Sequence, residues 1–152
     1  MGARGKIGKI TWAATTLLIT AFAAAGADVA VIVNSGSTNT AGFRIAVPQS
    51  GEAEYTPAPR RVIRPSSGPP AETHLQLPDS LVKRLYADLD AAKPFSSLPT
   101  QRCAKSASFG TMLTIALGFQ ETPDLSCGGG DSEKLKALLR DANDIVKLFN
   151  SR

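Results

Sequence analysis

The sequence predicts an α+β domain in which an antiparallel β-sheet, built from two hairpins and one or two short strands, carries two amphipathic helices packed on one face. Two observations predict the sheet. First, a segment of β-branched residues and a segment of alternating apolar residues lie on either side of a polar loop. Second, another segment of alternating apolar residues comes just before a turn. A third observation predicts the helices, because apolar residues recur at helical spacing in two longer stretches.

The first hairpin is predicted between Val29–Val33, which is wholly apolar, and Phe43–Val47, in which bulky apolar residues alternate with others. The connection, residues 34–42, is rich in Asn, Ser, Thr and Gly, which turns favour. Residues 48–72 hold six of the ten prolines, so an irregular surface segment is expected there. Its only strand-like part is Arg61–Arg64.

A short strand, His74–Leu77, is expected to lead directly into the first helix. That helix is predicted to begin near Pro78, with Asp79 or Ser80 capping its free backbone N–H groups. It stops before Pro94. Its apolar stripe comprises Leu81, Leu85 and Leu89.

The second hairpin is expected from residues 109–117, whose odd positions are mostly apolar, followed by a turn at Gly118–Glu121 and a return strand over Thr122–Cys127. Gly128–Gly130 is then a joint before the second helix, for which the pair Asp131–Ser132 supplies good N-caps. Its apolar stripe comprises Leu135, Leu138, Leu139, Ala142, Ile145, Val146 and Phe149.

Residues 1–27 have the layout of a secretory signal peptide. Three basic residues precede the uncharged stretch Ile10–Ala27, which ends in small residues, so cleavage is expected after Ala27. An uncleaved membrane anchor is the alternative, because 18 uncharged residues reach the minimum for a bilayer span. The stretch is rich in alanine, which favours cleavage, and contact with the membrane is then expected only through this segment before it is removed.

Cleavage would leave residues 28–152 as a single domain of 125 residues, with 14 basic and 13 acidic side chains. A net charge of +1 without a clustered basic surface argues against nucleic-acid binding. Cys103 and Cys127 are expected to form a disulfide bond, because exported proteins fold in an oxidising compartment. Their spacing fits neither a Cys-x-x-Cys redox pair nor a zinc site, so no metal or other cofactor is expected.

Candidate binding residues lie in the polar loop of the first hairpin, in the hydroxyl-rich stretch after Cys103 and in the second predicted turn. They are Ser35, Ser37, Thr38, Asn39, Ser106, Ser108, Phe119, Gln120 and Glu121. Such loops often only connect strands, and small residues in a strand often allow a helix to pack closely, so structural interpretations stand beside the functional one.

His74 is the only histidine, so a hydrolase built on serine, histidine and an acid would need it as the base. The serine would come from residues 35–37 or 106–108. No serine stands in a Gly-x-Ser-x-Gly turn, and no catalytic residue is assigned.

Three segments, NSGSTNTAGF at Asn34–Phe43, CAKSASFGT from Cys103 and PDLSC ending at Cys127, resemble segments of small exported bacterial proteins of unknown activity. The resemblance implies export and pairing of the cysteines, and no activity, substrate or cofactor. The expected function is a periplasmic or secreted binding module without enzymatic activity, whose partner is a protein or another ligand of the cell envelope. A protease inhibitor with its tip at Phe119–Thr122 is a variant, and a small secreted hydrolase using His74 is the alternative.

Overall fold

The computed structural model describes residues 29–58, 73–106 and 108–151, so the predicted signal peptide lies outside the described residues. The elements follow one another as β1β2β3β4α1β5β6α2. The strands are β1 (Ala30–Asn34), β2 (Phe43–Val47), β3 (Glu52–Pro57), β4 (Thr73–Gln76), β5 (Leu113–Leu117) and β6 (Gln120–Glu121). The helices are α1 (Asp79–Ala92) and α2 (Glu133–Asn150), and Phe95–Ser97 and Leu125–Cys127 form 3₁₀ turns.

The six strands form one antiparallel sheet in the order β4-β3-β2-β1-β5-β6. The most apolar strand, β1, lies between β2 and β5, where neighbouring strands shield both of its edges. Alternation sets the faces of the other strands: in β2, Ile45 and Val47 are buried, whereas Arg44 is exposed.

Both helices pack on the face that carries the buried residues of the strands, and this confirms the predicted α+β architecture. The strands contribute to this core Ala30, Ile32, Ile45, Val47, Ala53, Leu75, Leu113 and Ile115. The helices contribute Leu81, Val82, Leu85, Leu89, Leu135, Leu138, Ala142 and Ile145. Each helix therefore buries the stripe that its apolar spacing predicts. Among the described residues, no helix is long and apolar enough to span a membrane.

Aromatic side chains of both helices contact the strands. On α1, the hydroxyl of Tyr86 donates to the carbonyl of Val47 at 2.7 Å and accepts from the backbone N–H of Ala30 at 3.1 Å. At the end of α2, the ring of Phe149 packs on that of Tyr55 with 5.5 Å between centroids. These contacts set the position of the helix pair over β1, β2 and β3.

The proline-rich segment contains a strand that the sequence pattern did not predict. β3 pairs with both β2 and β4, and Ala53 and Tyr55 lie on its core-facing side. The strand contains glutamate and alanine where β-branched residues would be typical, and prolines lie close to it. For these two reasons the sequence pattern did not indicate a regular strand here. Arg61–Arg64 lies among residues 59–72, outside the described part of the chain.

The second hairpin is shorter than predicted, because only Gln120–Glu121 return beside β5. The return strand predicted over Thr122–Cys127 is wrong. Thr122 donates its N–H to the Ile115 carbonyl, but it accepts the Ile115 N–H with Oγ1, at 3.0 Å, in place of its backbone carbonyl. Pro123 follows and has no N–H to continue the ladder.

The two helices begin differently. Ser132 is the N-cap of α2, and its hydroxyl accepts from the N–H of Leu135 at 3.4 Å, as predicted. The cap predicted for α1 is wrong: Pro78 occupies the N-cap position and no side chain caps the helix. Asp79 lies in the first turn, where its negative charge favours the helix dipole. The expected joint, Gly128–Gly130, is a turn in which all three residues have positive φ.

Candidate functional site

Two of the three predicted binding segments lie side by side, and the second of them, expected as a strand, is a loop. Residues 35–42 connect β1 to β2, and residues 104–112, of which residue 107 is not described, precede β5. Because β1 and β5 are neighbours, Ser35 donates its N–H to the Met112 carbonyl at 2.9 Å and accepts the Met112 N–H with Oγ at 2.9 Å. We call these two segments the loop pair.

Most of the predicted hydroxyl groups hold the loop pair together. The hydroxyl of Ser37 donates to the Ser108 carbonyl at 2.8 Å, and the backbone N–H of Asn39 donates to the same carbonyl at 3.0 Å. Ser106 accepts the N–H of Ser108 with Oγ at 3.2 Å. These groups are used in hydrogen bonds within the loop pair. Their main role is therefore to hold the loops in place, and not to contact a ligand.

A tight turn at Gly36 brings the two ends of the first loop together. Its φ of +64° lies in the left-handed region, and a Cβ there would lie 2.6 Å from the backbone nitrogen of Gly42. The side chain of Asn34 accepts the N–H of Gly36 at 2.9 Å and holds this turn. Glycine is therefore required at position 36 for steric reasons.

Lys105 anchors the second loop. Its ammonium group donates to Oγ of Ser126 at 2.6 Å and to the carbonyl of Thr111 at 2.7 Å, and it forms an ion pair with Asp124. The same carboxylate accepts the N–H of Leu113 at 3.0 Å. The anchor thus joins the loop, the start of β5 and the 3₁₀ turn that follows Asp124.

The environment of Asp124 shows that this anchor is structural. Partial burial alone would raise the pKa of Asp124, but hydrogen bonds from Lys105, from Ser126 and from two backbone N–H groups outweigh burial and lower the pKa to about 2. Ser126 beside Lys105 superficially resembles a nucleophile with its base. An ammonium group that donates to a carboxylate, a carbonyl and this hydroxyl cannot also accept a proton from it.

The predicted disulfide between Cys103 and Cys127 is present. Its Cα atoms are 5.5 Å apart, and it joins the start of the second loop to the end of the 3₁₀ turn. The disulfide and the Lys105 anchor therefore connect the same two segments. Their combination restrains the loop on its outer side, while hydrogen bonds to residues 35–42 restrain it on its inner side.

The outward surface of the loop pair combines apolar side chains with uncharged polar ones. Phe109 is 66% exposed and Met112 is 53% exposed, and the exposed Thr38 and Asn39 lie on the neighbouring loop. Lys105 is the only charged residue within the loop pair, and Asp124 neutralises it.

The alternating pattern wrongly predicted that Phe109 would face the core. The strand begins only at Leu113, so the inward positions of the pattern do not extend back to Phe109. Gly110 and the small residues around it were the available signal of a loop, since Gly, Ser and Thr favour turns over strands. Phe109 and Met112 are therefore candidate site residues that the sequence pattern did not identify.

The third predicted location lies at the other end of the sheet. In the pairing of β1 with β5, Asn34 is opposite Leu113 beside the loop pair, whereas Ala30 is opposite Leu117 beside the turn that carries Phe119. The length of β5 separates the two places, roughly 14 Å for five residues. Phe119 therefore cannot contribute to a compact site with the loop pair.

The hairpin turn carries an exposed apolar side chain that is not tied to the rest of the hairpin by a hydrogen bond. Phe119 is fully exposed. Gln120 instead accepts the backbone N–H of Phe95 with its side-chain carbonyl at 3.3 Å, and Glu121 accepts the hydroxyl of Thr114 at 2.6 Å. The three residues predicted here are all exposed but differ in role: Gln120 and Glu121 hold the hairpin through hydrogen bonds, whereas Phe119 offers an apolar ring.

His74 lies on the edge strand β4, exposed and opposite Glu54 of β3. Two strands separate β4 from β1, so His74 is roughly 14 Å or more from the serines of the loop pair. This placement gives the hydrolase alternative no support. Within the described ranges, no group of three His, Cys, Asp or Glu side chains could hold a metal ion.

No model of a known protein family matches the chain, and no curated protein matches it. The resemblance of its loop segments to exported bacterial proteins therefore stays a prediction. Any function must be inferred from the chain's own surfaces, the loop pair at one end of β1 and the exposed Phe119 at the other.

Proposed function

We propose that the chain is an exported, non-enzymatic interaction module that binds a protein of the cell envelope through the loop pair. One observation supports this most directly: Phe109 and Met112 are large apolar side chains exposed on a surface whose backbone is held in place. Loops that are braced on both sides and still present apolar side chains are typical of binding sites.

The composition of the loop pair suits a protein interface. Interface cores are enriched in aromatic residues and methionine and depleted of charge. Antibody binding loops combine Ser, Gly and Asn, which adapt their hydrogen bonds, with aromatic anchors that lose little conformational entropy. The loop pair has this composition, with Phe109 as the anchor and Asn39 beside it. Since the loops are braced before binding, little entropy need be lost when a partner docks.

The expected partner surface is uncharged and contains an apolar pocket. A charged group placed against Phe109 and Met112 would lose hydration without gaining an ion pair, because Lys105 is already paired with Asp124. Binding should therefore depend only weakly on salt concentration.

Export is supported by the basic and apolar pattern of residues 1–27 and by the disulfide, which persists in oxidising compartments. A disulfide is compatible with export without requiring it. The site of cleavage, after Ala27, rests on the sequence pattern alone.

The test compares variants at the two ends of the sheet. The protein recovered from its host is cross-linked to envelope extract from the same cells, and the captured partner is quantified. The double variant Phe109→Ser with Met112→Ser should lose capture about tenfold or more, as expected when anchor residues are removed. Phe119→Ser is the matched control, because it removes an exposed aromatic side chain at the opposite end of the sheet.

All three side chains are exposed, so neither variant should change the thermal unfolding midpoint, and unfolding is measured to confirm this. Capture that survives the double variant would contradict a role for the loop pair. Capture lost only with Phe119→Ser would also contradict the loop pair as the binding surface, and would indicate that the hairpin turn binds the partner instead.

The protease inhibitor is a second candidate, because Phe119 is fully exposed at the tip of a hairpin. Its neighbours Gln120–Glu121 are paired in β6, so the tip is a tight turn and not an extended segment. Inhibition assays against a panel of secreted proteases test this candidate. Inhibition that disappears with Phe119→Ser would support it, and ordinary cleavage of the chain by every protease tried would contradict it.

A further inference from the structure

A cluster of charged side chains joins α1 to α2. Arg84 on α1 donates from Nε to Oδ1 of Asp141 at 2.6 Å and from Nη2 to Oδ2 of Asp144 at 2.6 Å. Arg140 on α2 reaches back to Oδ2 of Asp88 on α1 at 3.1 Å. Each helix thus provides one guanidinium group to carboxylates of the other.

Asp141 differs from the rest of the cluster because its side chain is fully buried. Its Oδ1 accepts from Arg84 and lies 3.5 Å from Nε of Arg140. Its Oδ2 is buried and has no hydrogen-bond partner among the described residues. A buried oxygen without a donor is costly, since it has lost its hydration and gained nothing in return.

A second acid, Asp88, lies beside Asp141. Arg140 contacts both carboxyl groups, at 3.1 Å from Oδ2 of Asp88 and at 3.5 Å from Oδ1 of Asp141, and the Asp88 carboxyl is a hydrogen-bonding neighbour of the Asp141 side chain. Two ionised carboxylates cannot bond to each other, because neither has a hydrogen to donate. The cluster contains three carboxylates and two guanidinium groups, and the remaining cation, Lys147, lies 3.8 Å from Asp144 with a side chain that is 76% exposed.

We propose that Asp88 and Asp141 share one proton, and that this proton bonds α1 to α2 and makes the stability of the helix pair depend on pH. The shared proton gives the orphaned Oδ2 of Asp141 a partner. It also balances the charge of the cluster, since one of the three carboxylates is then neutral.

The electrostatic environment agrees with this arrangement. Burial raises the pKa of Asp141 above its ordinary value of 3.8, Arg84 opposes the rise, and the neighbouring carboxyl of Asp88 adds to it. The folded protein therefore keeps the proton over a pH range in which the unfolded chain has released it. Stability from this pair is fully present below the unfolded pKa and is lost as the pH rises through the raised folded pKa. Mild acid should therefore tighten the helix pair.

Equilibrium unfolding between pH 4 and pH 8 tests the proposal on the intact protein. The denaturant midpoint of the wild type should rise as the pH falls within this range. Asp88→Asn should flatten the dependence and unfold at an equal or higher midpoint at neutral pH, because an amide N–H can donate permanently to Oδ2 of Asp141. Asp90→Asn is the matched control: it removes an exposed carboxylate of the same helix and should keep the wild-type slope.

Carboxyl carbon chemical shifts measured by NMR give a direct readout. The Asp141 carboxyl should titrate above its ordinary pKa, and its midpoint should fall in Asp88→Asn. A midpoint at or below 3.8, or a pH slope that Asp88→Asn leaves unchanged, would overturn the proposal. Because the wild type is titrated directly, this readout decides the question even if a variant fails to fold.

Discussion

Asp124 and Asp141 both lie beside a basic side chain, yet their pKa values shift in opposite directions. Asp124 is only partly buried and accepts several hydrogen bonds, so the charged form prevails. Asp141 is fully buried, has one oxygen without a donor and lies near a second acid, so the neutral form gains. The two residues are alike in sequence, and only their surroundings distinguish them.

Replacing Asp124 with asparagine should destabilise the protein by about 2 kcal/mol at pH 7, because a pKa lowered to about 2 measures how strongly the fold favours the carboxylate. The loss should shrink as the pH falls below 3.8 towards 2, where the wild-type carboxylate takes up its proton. Chemical unfolding at several pH values measures it. Asp90→Asn, at an exposed ion pair, should cost much less at every pH.

The candidate binding residues of the first loop were predicted correctly as loop residues. Ser106 and Ser108 were expected in a strand but lie in a loop, and Gln120–Glu121 were expected in a turn but form β6. The sequence did not separate the roles of these residues. Ser37 and Ser106 brace the loop pair, whereas Phe109 lies at its surface. A hydroxyl group bonds equally well to a ligand or to a nearby carbonyl, and the sequence does not show which carbonyl is near. An alternating pattern also cannot show where a strand begins.

At the scale of elements, apolar periodicity predicted β1, β2, α1 and α2, because each buries one regular face against a common core. It failed for β3, whose core-facing residues are Ala53 and a half-buried Tyr55. It also failed for the return strand after β5, where Thr122 uses its hydroxyl in the ladder. Both failures occur where a side chain other than a bulky aliphatic one determines the pairing.

Helix caps provide a prediction at this scale. Ser132→Ala should destabilise the protein by about 1 kcal/mol, because it removes the acceptor of the Leu135 N–H at the start of α2. Ser80→Ala is the matched control in the first turn of α1, where no side chain caps the helix, and it should be nearly neutral. Thermal unfolding of both variants compares them. Equal losses would show that the Ser132 cap does not stabilise α2.

At the scale of the whole molecule, sheet order determines which candidate residues meet. β5 is distant from β2 in sequence but lies on the other side of β1, so residues 35–42 and residues 104–112 form one surface. The same antiparallel pairing sends Phe119 to the opposite end. His74, on the edge strand, is separated from both surfaces. One surface, the loop pair, is therefore assembled from residues far apart in the chain.

Export, cleavage after Ala27 and the Cys103–Cys127 disulfide are predictions for the whole chain. Intact-mass spectrometry of the protein from the periplasm and medium of its host tests all three. The expected mass begins at Asp28 and is lower, before reduction, by the hydrogens lost in forming Cys103–Cys127. Loss of this disulfide should cost on the order of 3 kcal/mol, since it closes a loop between residues 24 positions apart. A full-length mass in the membrane fraction would contradict cleavage after Ala27.

The sequence by itself determined the α+β class, the apolar faces of both helices, the first hairpin and the identity of the paired cysteines. These features depend on local periodicity, turn chemistry or parity, which neighbouring residues carry. Only the tertiary structure decided that the two polar loops share a surface with Phe109, that Lys105 is held by Asp124, and that Asp141 is buried beside Asp88. Those relations depend on sheet order and helix packing, in which residues far apart in the chain become neighbours.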